Sequence, residues 1–110
     1  MKRRRLQMVM YVIHLPLRDN KGKSIKRKEF ARVQRELIDR FGGCTIYPQP
    51  VKGFWVHQGI IFEDEVVVFE VWVPRTRENL KWLSRYREIL RKRFKQKVIG
   101  AKIIPFQIPE

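Results

Sequence analysis

From Met8 to Leu15 the chain is apolar at nearly every position, with Val9, Tyr11 and Ile13 on one parity and Met8, Met10, Val12 and His14 on the other. Side chains alternate across a strand, so this run reads as a β-strand whose two faces both meet something. Pro16 ends it, and Asp19-Asn20-Lys21-Gly22 supplies turn chemistry. The period then changes: Phe30, Val33, Leu37, Ile38 and Phe41 recur at helical spacing, with Ser24 as the cap and Gly42-Gly43 as the end. Cys44 to Tyr47 reads as a short strand closed by Pro48 and Pro50, after which Gly53-Phe54-Trp55 begins a loop or turn. A longer strand is predicted from about Gly59 to Val73, bent or paired at its start with Trp55-Val56-His57 and stopped by Pro74. Thr76 caps a second helix in which Leu80, Leu83, Leu90 and Phe94 form a stripe widened by Tyr86 and Ile89. The last strand is predicted over Val98 to Ile104, ended by Pro105, with Phe106 to Ile108 continuing extended along the surface.

The order β-α-β-β-α-β predicts an α+β, ferredoxin-like sandwich: an antiparallel sheet with two helices on one face. The expectation is a single domain over residues 1–110 with a short basic N-terminal arm. On the long strand, Val67, Phe69, Val71 and Val73 are assigned to the helices. The other face collects Met8, Met10, Val12, His14, Val66, Val68, Glu70, Trp72, Lys102 and Ile104. A face this apolar marks an interface or a ligand groove, and homodimerisation through it is the leading expectation.

Charge shifts attention to the helices. Twenty-five Lys and Arg against eleven Asp and Glu give +14, and both predicted helices turn basic residues outward. Such a field attracts polyanions. The main functional expectation is therefore a small basic protein that binds DNA or RNA. Its phosphate contacts would come from Arg3, Arg4, Arg5, Arg27, Arg32, Arg35, Lys81, Arg85, Arg91 and Lys92, with Trp55 as a stacking platform for bases. One cysteine, Cys44, excludes an intrachain disulfide framework and clustered zinc-thiolate sites. The run after the basic start is short, is interrupted by Gln7 and His14 and lacks a cleavage site, so it does not read as a signal peptide. No segment reaches the roughly twenty apolar residues of a membrane span. A cytoplasmic protein with no membrane partner is expected.

Chemistry has few candidates. No GxxxxGK[ST] pattern occurs, so nucleotide hydrolysis by that route is not supported. His14 and Glu70 fall on the open face near Lys102 and are the candidates for an acid–base pair. Asp64, within Glu63-Asp64-Glu65, and Asp19 are candidates for binding Mg or Mn in a metal-dependent nuclease; no other cofactor is expected. In length, basicity and element order the chain loosely resembles the small dimeric CRISPR-associated endonucleases, which implies a carboxylate presented after the first strand to a dimer cleft. Here that strand ends Ile13-His14-Leu15-Pro16, and Leu17 and Arg18 precede Asp19. The remaining alternative is a small-molecule-binding or regulatory ferredoxin-like dimer, in which Trp72, the methionines, His14 and Glu70 shape an apolar site with polar anchors on the open sheet face.

Overall fold

The first strand, apolar on both faces, is central: β1 (Leu6–Pro16) lies inside the sheet, antiparallel to β4 (Ile60–Pro74) on one side and to β5 (Gly100–Ile108) on the other. The computed structural model describes residues 6–108, so the expected basic arm with Arg3, Arg4 and Arg5 lies outside the described residues. Between these strands come α1 (Arg27–Phe41), the short β2 (Thr45–Ile46), β3 (Val51–His57) and α2 (Arg77–Arg93). The sheet order is β2-β4-β1-β5, with β3 also paired to β4. This is the ferredoxin-like arrangement that the element order predicts.

One face of the sheet is closed by the helices. Val9, Tyr11, Ile13 and Leu15 of β1 and Phe69, Val71 and Val73 of β4 pack with Val33 and Leu37 of α1 and with Leu83, Tyr86 and Leu90 of α2. Each such side chain contributes about 1.5–3 kcal/mol through burial, so the helix-facing parity of the strands dominates the fold. Thr76 caps α2 as expected, its hydroxyl accepting from the Asn79 amide at 3.1 Å. The N-cap of α1 is Lys26, with no side-chain cap, while Ser24 bridges to Arg18 in the preceding turn. Gly42 ends α1 at φ 84°, a left-handed position that glycine adopts without a Cβ penalty.

Two segments depart from the sequence reading. The expected pairing of Trp55-Val56-His57 with the start of the long strand is present, but the strand begins earlier, at Val51 where a loop or turn is expected, and the ladder runs from Val51↔Val66 to His57↔Ile60. Gln58 and Gly59, at φ 50° and 77°, close this hairpin in the left-handed sense that matches strand twist. β2 and β3 are one interrupted strand. Between Ile46↔Phe69 and Val51↔Val66, residues 47–50 lie opposite only Val67 and Val68, so the Pro48-Gln49-Pro50 stretch bulges out of the ladder. At the other end, β5 continues through Pro105 to Ile108, with Pro105 opposite Val9. It can do so because β5 is an edge strand, where a missing N–H costs nothing on the outer side.

Candidate ligand site on the open sheet face

The sheet face turned away from the helices is built by register. Val12 of β1 lies opposite Glu70 of β4 and opposite Lys102 of β5; Met10 lies opposite Trp72 and Ile104; His14 lies opposite Val68 and Gly100. Thr45 of β2 pairs with Glu70 from its other side. Val12, Val66 and Val68 form an apolar floor with Met10 packed against it.

Glu70 sits within this floor and is only 8% exposed. A carboxyl group in such surroundings must be hydrogen-bonded. Its two oxygens are held from above: Tyr47 Oη donates to Oε1 at 3.0 Å and Trp72 Nε1 donates to Oε2 at 2.9 Å. The bond to Glu70 raises the Tyr47 pKa, so the phenol stays the donor. Among the described residues no Lys or Arg forms an ion pair with Glu70. Trp72 remains 57% exposed and meets the ring of Phe106 edge-on at 5.2 Å between centroids. The result is a carboxyl anchor in an apolar floor beside an accessible indole.

His14 shares this face, one step along the strands from Glu70, but the Glu70 carboxyl is engaged by Tyr47 and Trp72, so the expected His14–Glu70 pair is not a direct contact. Burial and the Lys102 charge both push the His14 pKa down, which favours neutral imidazole. Tyr47 and Phe106 escaped the sequence reading as parts of this site. In the sequence Tyr47 is only the last residue of a short strand, and Phe106 lies beyond the proline that reads as the end of the last one.

The nuclease candidates do not converge. Asp19 Oδ1 accepts from the Lys21 and Lys23 amides, both at 2.9 Å, and so closes its own turn. These bonds, that from Lys23 foremost, hold its pKa below the ordinary value. Asp64 Oδ2 accepts from Trp55 Nε1 at 2.9 Å within the β3–β4 hairpin. Among the described residues no three His, Cys, Asp or Glu side chains are grouped to hold a metal ion together. Trp55 stacks on Phe62 with centroids 4.6 Å apart, so part of the expected platform is occupied by its own hairpin. Cys44 is half-buried against the core and its thiol pKa is raised by burial, in keeping with packing rather than reactivity.

Arg27, Arg32, Arg35, Lys81, Arg85 and Lys92 are exposed on the helices as predicted. Others are used internally. Arg91 forms an ion pair with Glu88 at 2.7 Å and also donates to the Gln96 carbonyl; Arg93 and Arg40 pair with Glu36 and Glu78. A depression of about 540 Å³ at the start of α2 is lined by Gln7, Arg75, Thr76, Arg77, Leu80, Lys81 and Ser84. It lies away from Glu70, and its charged side chains are all exposed, so it lacks the buried polar anchor of the sheet face. Among the described residues no helix is long and apolar enough to cross a membrane.

No family model and no curated protein matches the chain. Solved structures do. A phage SAM lyase in complex with S-methyl-5'-thioadenosine matches with a TM-score of 0.65 at 14% identity, covering 100% of this chain and 95% of that one. A phage SAM lyase in the apo state gives 0.52 at 13% identity over the same shares. The divalent ion tolerance protein CutA1 from Ehrlichia chaffeensis gives 0.54 at 7% identity, covering 98% of this chain and 86% of that one. These neighbours overturn the nucleic-acid expectation, because they are described by a small-molecule reaction and by ion tolerance rather than by DNA or RNA. The basic homodimer joined through bare sheet faces falls with it: Met8, Val12, Val66 and Val68 of that face are already buried in the single chain. What the chain shares with these proteins, over nearly its whole length, is the ferredoxin-like fold.

Proposed function

We propose that this protein binds a small organic molecule on the open sheet face with Glu70 as the polar anchor, and that the ligand belongs to the adenosine thioether and sulfonium class. The observation that carries the reading is the Glu70 carboxyl group itself, 8% exposed and held, among the described residues, only by the neutral donors Tyr47 and Trp72. A carboxylate has about four acceptor positions, and two of these are filled. A ligand that brings a pair of hydroxyls, or a positive charge, completes the set and offsets the cost of burying the group. The exposed Trp72 ring offers a stacking surface to a base, and the Met10 and Val68 side chains suit an apolar thioether portion. Neutral His14 beside Lys102 supplies a donor and a cation at the far side of the same face.

The lyase complex supports this ligand class, since a chain of the same fold holds S-methyl-5'-thioadenosine. A cytoplasmic setting, in keeping with the single cysteine, is part of the same reading.

The test is calorimetric titration with S-methyl-5'-thioadenosine and with S-adenosylmethionine, alongside incubation with the latter and chromatography for released thioether. Saturable binding of either, weakened tenfold or more by Glu70→Gln in a variant that keeps its melting temperature, supports the site. No heat at millimolar ligand and no thioether release would sink it.

A further inference from the structure

The β3–β4 hairpin is apolar on both sides. Trp55, Ile60 and Phe62 continue the face that carries Glu70, while Phe54, Val56 and Ile61 line the reverse. Phe54 is 65% exposed, Val56 67% and Ile61 71%, so the reverse side in particular is uncovered by the other described residues. A two-stranded ribbon is at best marginally stable in water by itself. Seven ladder pairs from Val51↔Val66 to His57↔Ile60, at about 3.3 Å per residue, make an arm roughly 20 Å long.

We infer that this arm docks on a second copy of the chain. Its counterpart is the exposed apolar rim of the open sheet face, Trp72 with Ile104 and Ile108, beside the Lys102 ammonium. Two features select a second copy over an unlike partner. The arm and its base hold three of the eleven carboxylates, Glu63, Asp64 and Glu65, and one of the 25 Lys and Arg residues, Lys52. It is therefore the acidic element of a chain at +14, and its own body is a complementary surface. The chain also exposes a matched pair of apolar surfaces, arm and rim, and one head-to-tail contact covers both. Such a contact joins two different patches, unlike a symmetric face-to-face dimer, and repeated around an axis it closes into a ring. The rim shares Trp72 and Lys102 with the ligand reading, but the two are measured separately: sedimentation reports the contact between copies, calorimetric heat the ligand.

Sedimentation velocity on three proteins tests it: wild type, an arm variant Val56→Lys with Ile61→Lys, and a rim variant Ile104→Lys. These positions are exposed in the single chain, and circular dichroism checks that both variants keep their helices. Wild type is expected to sediment as an oligomer at tens of micromolar and each variant as a monomer. An equimolar mixture of the two variants is expected to form a dimer, because the intact arm of one meets the intact rim of the other. A monomeric wild type, an oligomer that survives either set of substitutions, or a mixture that stays monomeric would each overturn the inference.

Discussion

Tyr86 of α2 donates its hydroxyl to Glu36 Oε1 of α1 at 2.9 Å, and Arg93 donates to both oxygens of the same carboxylate, at 2.5 and 3.1 Å. Burial pushes the Glu36 pKa up, but the bonds from Arg93 and Tyr86 outweigh it and hold the group below its ordinary 4.5. The clamp joins two helices that otherwise meet mainly through apolar side chains.

Glu36→Ala strands the half-buried Arg93 and the buried Tyr86 hydroxyl, and should cost about 1–2 kcal/mol at neutral pH. The sign of the pH effect follows from the lowered pKa. The contribution is fully present above 4.5, the unfolded value, and is lost as pH falls through the lower folded value. Urea unfolding at pH 7 should separate the two proteins, and their curves should converge in strong acid.

Tyr47→Phe removes one of the two donors to Glu70 and leaves the ring in place. A hydrogen bond to a charged group is stronger than one between neutral groups, yet Tyr47 is exposed enough for water to substitute in the free protein. Thermal stability should move little, whereas affinity for S-methyl-5'-thioadenosine should fall about three- to tenfold by calorimetry, because the carboxyl oxygens are no longer fixed in orientation.

His14 carries the opposite pH signature to Glu36's partner-driven one only in origin, since both lose stability on acidification. Its folded pKa lies below the ordinary value of 6.5, through burial first and Lys102 second, so the unfolded chain binds a proton that the folded chain resists. Stability contributed here is complete above 6.5 and declines as pH falls below it, levelling off under the folded pKa. His14→Phe should flatten the fall in melting temperature between neutral and mildly acidic pH. An unchanged slope would place the titration elsewhere.

Strand parity and helix spacing were legible because burial enforces them: Phe69, Val71 and Val73 could face only the helices, and Thr76 could cap only what followed it. The hairpin was harder. Val51 to His57 is exposed throughout, so no alternation of buried and exposed positions marks it, and Gln58-Gly59 is a less familiar turn than Asn-Gly. The candidate site was half visible. Parity placed Glu70, Trp72 and His14 on one face, but the Tyr47 bond depends on how residues 47–50 bulge against β4, which no local pattern encodes. Net charge misled most, since it is a property of solubility and association rather than of a site.

Pro105 has one more effect. A strand at the margin of a sheet offers a row of free amides and carbonyls on which further chains can stack without limit. β5 is such a margin, and near its middle it presents a ring nitrogen with no hydrogen to give. The ladder can be started there but not carried past that residue. A chain that reaches outward with one strand pair is thus kept from fibrous growth along another, and a proline that the strand runs straight through limits what can be added to it.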